Sequence, residues 1–137
     1  MDQTQDTATV TDALPRLAHT AGRLLLGLYF LLPGIMKVLD WDGTSAYMAA
    51  HSVPFVPVLL ALTIVLQIGG ALCLFANYRV PLVAFLLAGL TLVISLYMHN
   101  FWTMAEGLKQ QHETQNFIKN LAIMAGLLVL VQPLSRR

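Results

Sequence analysis

Residues 54–76 read PFVPVLLALTIVLQIGGALCLFA, a run without a single Asp, Glu, Lys or Arg. A helix rises about 1.5 Å per residue, so a stretch of this length crosses the roughly 30 Å of hydrocarbon in a bilayer. Apolar residues fall nearly all the way round the helix at 3.6-residue spacing, whereas a helix of a soluble bundle keeps a polar face. The stretch therefore reads as a membrane span. Working outward, Val80 to Met98 (VPLVAFLLAGLTLVISLYM) repeats the pattern after a short turn, Leu17 to Leu39 precedes both, and Phe117 to Gln132 follows as the shortest of four.

The composition of the whole chain agrees. Its 137 residues are 57% hydrophobic and 11% charged, against about 45–50% apolar and about 25% charged in an ordinary globular domain. Eight Lys and Arg against seven Asp and Glu leave no basic surface for nucleic acid, so the first partner is the lipid bilayer. Cys73 is the single cysteine and sits in an apolar run, which excludes an internal disulfide, a CxxC redox pair or a thiolate metal cluster. The predicted fold class is all-α, an integral membrane four-helix bundle. The bundle occupies residues 17–132 with a polar tail at 1–16 and a basic tail at 133–137. Asp2, Asp6 and Asp12 precede the first span and no small-residue cleavage site follows it, so that span is not read as a signal peptide.

Basic residues in short connections stay on the cytoplasmic side. With four spans, both termini and the turn after the second span share one side, which gathers Arg16, Arg79, Arg136 and Arg137, while the other side has Lys109 in its connections and Lys37 and Lys119 near helix ends. Both termini are thus expected in the cytoplasm. The connections Asp40 to Val53 and His99 to Asn116 then face outward. Trp41 and Trp102 suit the interfacial aromatic belt. Phe101, Met104, Ala105 and Leu108 recur at helical spacing, as in a short amphipathic helix roofing the bundle. His51, His99, His112 and Glu113 are too irregularly spaced to predict a metal site.

Polar residues inside the spans are informative, because a charge in hydrocarbon is costly unless it meets water or a partner. Arg23, Gly27, Phe30, Gly34 and Lys37 are spaced 4, 3, 4 and 3 and share one helix face. Its small residues mark a face that packs closely on a neighbour. Gln67, at similar depth on the second span beside Gly69 and Gly70, is the expected hydrogen-bond partner of Arg23. On the outer side, Lys37 and Lys119 would repel unless an anion or polar ligand lay between them. The candidate ligand-binding residues are accordingly Lys37, Ser95, His99, Trp102, Lys119 and Asn120, with Ser95 and His99 at i and i+4 on the third span.

Gly22-Arg23-Leu24-Leu25-Leu26-Gly27, Pro33-Gly34-Ile35-Met36-Lys37, Leu66-Gln67-Ile68-Gly69-Gly70-Ala71 and Phe117-Ile118-Lys119-Asn120-Leu121 with Gly126 resemble, in order and spacing, the DoxX family of small bacterial membrane proteins. The likeness runs from Leu17 to Val131. It implies a four-helix bundle of the bacterial inner membrane and, for some relatives, a part in quinone-linked oxidation of thiosulfate or in thiol and oxidative-stress complexes. Quinone is then the cofactor to consider. The family commonly carries Glu where this chain has Gln67, so no proton-linked carboxylate is implied here.

Three readings follow. The leading one is an accessory redox subunit that meets a quinone or a small sulfur oxyanion beside a redox enzyme partner. The others are a small-solute channel, which so short a chain would need a homo-oligomer to build, and a structural membrane anchor without activity. Whether the chain catalyses anything is open, and an oxidoreductase subunit acting with a quinone is the form an enzyme would take.

Overall fold

The computed structural model describes residues 3–132, with side chains from Val10 onward. Its elements are α1 (Gln3–Leu39), α2 (Trp41–Ala50), α3 (Val56–Phe75), α4 (Val80–Met98), a 3-10 turn (Phe101–Thr103) and α5 (Leu108–Val131). Among the described residues there is no strand. Helices α1, α3, α4 and α5 are each long and apolar enough to cross a membrane.

Helices α3 and α4 begin where the sequence stops them from beginning sooner. Pro57 and Pro81 stand in their first turns, where a missing N–H leaves no bond unmade. The residues before each helix, Phe55 and Arg79, adopt left-handed conformations with φ of 49° and 46°. Helix α4 has the expected bounds.

Three elements depart from the expectation. Helix α1 starts at Gln3, so the polar stretch up to residue 16 continues the first helix instead of hanging from it. Helix α5 starts at Leu108 and, at 24 residues, is longer than α3 or α4. The polar residues 109–116 are mostly Lys, Gln and Glu, which are good helix formers and extend the helix past the apolar run. The outer connection Asp40 to Val53 folds as α2, with the Asp40 side chain accepting from the Gly43 N–H at 3.1 Å as an N-cap. The predicted roof around residues 101–108 is only a 3-10 turn, since Leu108 already belongs to α5.

Helix α1 packs most extensively on α3, α4 on α5, and α3 on α4, in up-and-down order. The α1 stripe faces α3 as its spacing required: Arg23, Gly27, Phe30 and Gly34 are all buried. A Cβ added at Gly27 would lie 2.6 Å from the Phe75 ring, and one at Gly34 would lie 2.8 Å from Ile68 Cγ1. Neither position leaves room for a side chain while the helices keep this separation. The core gathers Phe30, Ala71, Leu74, Val80, Ala84, Leu87, Ala88, Leu127 and Leu130. These lie mostly where α3 ends, α4 begins and α5 ends. Leu25, Val58, Phe85 and Val129 are each more than 60% exposed, which is the surface that lipid chains cover.

Candidate ligand-binding site

At the other end of the bundle the same helices part around a cavity of about 780 Å³. The C-terminal half of α1, the first half of α3 and the last turns of α4 supply its walls, with Asn120 from α5 and with Thr44, Tyr47 and Met48 of α2 beside them. Most of the wall is apolar, including Met36, Leu59, Leu62, Leu66, Leu90 and Ile94. A few polar side chains break it.

Most of those polar groups are already committed. The Thr63 hydroxyl donates to the Leu59 carbonyl at 2.8 Å and the Thr91 hydroxyl to that of Leu87 at 2.8 Å, the local back-bonding expected of such residues inside a helix. Asn120 is buried. Its Nδ2 donates to Ser95 Oγ at 2.9 Å, that hydroxyl donates to the Thr91 carbonyl at 2.7 Å, and the Tyr29 hydroxyl donates to Asn120 Oδ1 at 3.3 Å. This chain of bonds ties α1, α4 and α5 together.

Two groups are under-used. Lys37 is half-buried and its Nζ makes one long bond, 3.4 Å, to the Pro33 carbonyl. Gln67 is 4% exposed, and its Oε1 is buried without a hydrogen-bond partner. A buried acceptor left unmade costs about 1–3 kcal/mol, so a ligand that donates to Gln67 recovers that energy.

At the cavity mouth His99 Nδ1 donates to Glu113 Oε2 at 2.6 Å, and Asn116 Nδ2 reaches the same oxygen at 3.4 Å. Burial raises the Tyr47 phenol above its usual pKa, and the nearby Glu113 carboxylate adds to the rise, so Tyr47 stays a neutral donor in ordinary buffers. Among the described residues no cluster of three or more His, Cys, Asp or Glu is placed to hold a metal.

Of the residues singled out in the sequence, Lys37, His99, Asn120 and Gln67 line the cavity. Ser95 is buried behind Asn120. Lys119 and Trp102 are not part of the lining. One residue along a helix is a turn of about 100°, so with Asn120 pointing inward Lys119 is carried to the exposed outer face. The convergence expected of Lys37 and Lys119 therefore does not occur. Trp102 is 53% exposed and meets Phe101 and Phe117 edge-on, with ring centroids 5.3 and 5.7 Å away.

Arg23 is also bonded elsewhere than expected. Its Nη1 donates to the Leu74 carbonyl and, at 3.3 Å, to that of Phe75. These residues lie seven and eight positions beyond Gln67, roughly 10 to 12 Å along α3. Long side chains on a helix lean toward its N-terminus, which draws the guanidinium down toward the C-terminal end of α3. The last carbonyls of a helix lack intrahelical partners and form the negative end of its dipole, so they provide the partner that no carboxylate supplies.

Tyr29, Tyr47, Thr63 and Thr91 were not among the candidate ligand-binding residues. Tyr29, Pro33 and Lys37 do form an i, i+4, i+8 stripe, and Thr63 with Gln67 and Thr91 with Ser95 are i, i+4 pairs, so helical spacing held the signal for three of them. The His99–Glu113 pair joins two elements and left no local trace.

The profile of the DoxX family matches residues 18–100, which takes in the walls from α1 to α4 but not Asn120. Over 108 residues the chain is 33% identical to the inner membrane protein YqjF of Escherichia coli K12, covering 79% of this chain and 77% of that protein. It is 27% identical over 108 residues to the inner membrane protein YphA of the same organism, covering 79% and 76%. No solved structure matches the chain. Four spanning helices, a family match over most of the bundle and relatives of nearly the same length together make the chain a member of the DoxX family, a multi-pass inner membrane protein.

Proposed function

We propose that the chain is an accessory membrane subunit of a quinone-linked redox system and that the cavity takes the quinone head group. The observation that carries this reading is the unpartnered Oε1 of Gln67 in a mostly apolar cavity that also holds Lys37. An oxidised quinone offers carbonyl acceptors, to which the Lys37 ammonium can donate. A quinol offers hydroxyl donors, which Gln67 Oε1 can accept. The two residues together suit both redox forms, and the aliphatic walls suit the ring and the start of an apolar tail. A sulfur oxyanion is less well served, since Lys37 is the one Lys or Arg in the lining. With Cys73 as its only thiol, the chain draws electrons through a partner enzyme.

The test is to extract and identify lipids that co-purify in mild detergent, then titrate a short-chain quinone into the wild type, Gln67→Leu and Lys37→Met by calorimetry, with thiosulfate and sulfite alongside. Each substitution removes one polar contact of about 1–2 kcal/mol, so each should weaken binding by about tenfold. Gln67→Leu should leave the melting temperature unchanged or higher, because the unmet acceptor goes with it. A wild type that neither retains nor binds a quinone sinks the proposal and leaves the membrane-anchor reading.

A further inference from the structure

We propose a second binding site at the opposite end of the bundle, for a phosphate-bearing anion of the kind an acidic phospholipid head group presents. A cleft of about 460 Å³ opens between α1, the turn from α3 to α4 and the end of α5, and its polar lining is Arg16, His19, Thr20, Arg23, Asn77 and Arg79. No carboxylate lines it. Among the described residues the one ion pair is His99 with Glu113, at the far end of the bundle, so the three arginines converge without a counter-charge.

Arg23, His19 and Arg79 have capacity to spare. Arg23 is 8% exposed, and its bonds to the ends of α3 run from Nη1, which leaves the other guanidinium nitrogens for a further acceptor. The buried Nε2 of His19 has no partner. Arg79 donates from Nε to the neighbouring Tyr78 hydroxyl at 3.1 Å and stacks 5.7 Å from that ring, an arrangement that holds its planar head in place. Helix α4 begins here with no side-chain cap, so its free N–H groups and dipole add positive potential to the same cleft.

Three guanidinium groups around one space repel one another, and the repulsion grows as the dielectric falls toward the bilayer. A phosphate relieves it and matches the forked donors of arginine. The cleft lies where α3 turns into α4, at the ends of apolar spans where head groups stand, so a membrane anion is always at hand. Free phosphate shares the chemistry and is separated from lipid by experiment. The site is independent of the quinone cavity and shares no lining residue with it.

The whole chain, purified in an uncharged detergent, should be titrated with phosphatidylglycerol, phosphatidylcholine and inorganic phosphate. The readouts are lipid retained in native mass spectrometry and the shift in melting temperature. The wild type should retain phosphatidylglycerol at least about tenfold better than phosphatidylcholine. Arg16 and Arg79 are exposed, so Arg16→Gln with Arg79→Gln should keep the unliganded melting temperature while losing that preference, one or two charge-assisted contacts being worth about tenfold or more. Lys109→Gln, an exposed cation elsewhere, should change nothing. Stabilisation by inorganic phosphate that the double variant abolishes would assign the site to a soluble anion, and its absence alongside lipid retention assigns it to the head group. Equal retention of both lipids with no effect of phosphate, a double variant that binds as well as wild type, or an equal loss in Lys109→Gln would each overturn the site.

Discussion

Where α3 ends and α4 begins, Leu74, Leu87 and Leu127 are at most 1% exposed and the helices close on small residues such as Gly27, Ala71 and Ala84. One helix-half away the same four helices carry Lys37, Gln67, Thr91 and Asn120 around a cavity of about 780 Å³. Lipid chains are as apolar as leucine, so hydrophobicity alone gives membrane helices little reason to associate; close packing and hydrogen bonds supply it. The first half relies on packing. The second relies on the bonds from Tyr29 through Asn120 to Ser95 and on α2 beside the opening. Stability and binding are therefore separable along the bundle axis, and substitutions in one half should spare the other.

The all-or-none test is which half faces out. The basic residues near α1 and the α3–α4 turn predict a cytoplasmic packed half and a cavity opening away from the cytoplasm. Cysteines placed singly at Asp42 and Lys109, in a Cys73→Ser background, should react with a membrane-impermeant thiol reagent in intact cells. Labelling only after the membrane is permeabilised would invert the bundle and the access route to the cavity.

Leu87→Ala should give the largest loss of stability. In water-soluble cores such a truncation costs about 2–5 kcal/mol; with lipid as the surrounding solvent, the transfer part is reduced and about 2 kcal/mol remains from lost packing. Chemical unfolding in mixed micelles would measure it. Ligand binding at the other end should be unchanged, and a matching loss of binding would show that the two halves are coupled.

Arg23 belongs to the packed half, and its substitution should cost less. Arg23→Leu strips the guanidinium from the Leu74 and Phe75 carbonyls, a loss of about 1–2 kcal/mol. Gln67→Glu should bring no stabilisation that depends on Arg23, because the guanidinium is held by the Leu74 and Phe75 carbonyls, seven and eight positions further along α3 than Gln67. A gain from Gln67→Glu that vanished in Arg23→Leu would restore the direct pairing that the sequence suggested.

The fate of that pairing shows where sequence reading stops. Periodicity located the spans, since an apolar run of fixed length has one use in a bilayer, and the stripe from Arg23 to Lys37 named the face that meets α3. Depth along two helices was a weaker guide. It placed Arg23 level with Gln67, but a flexible side chain chooses its acceptor by direction as well as height, and the carbonyls at the end of α3 lay within reach. The starts of α1 and α5 were missed for another reason: Gln, Thr, Lys and Glu continue a helix without being apolar, so hydropathy locates the span and not the helix. The cavity itself could not be read from any run of residues, because it is space left between four of them.

The smallest expected effect is the most discriminating for the hollow half. Lys37 stands in the last turn of α1 and Lys119 midway along α5, yet Lys37 lines the cavity and Lys119 is exposed one residue before buried Asn120. Lys119→Met should be almost silent, within about 0.5 kcal/mol in stability, since an exposed ammonium gives up little and the methionine keeps the apolar stem. Its quinone affinity should equal that of the wild type, while Lys37→Met loses about tenfold. Salt offers a further separation: a general electrostatic attraction would weaken with ionic strength in all three proteins and depend on either lysine. Equal losses in the two variants would place the ligand between the two lysines after all, outside the cavity as drawn by Gln67, Thr91 and Asn120.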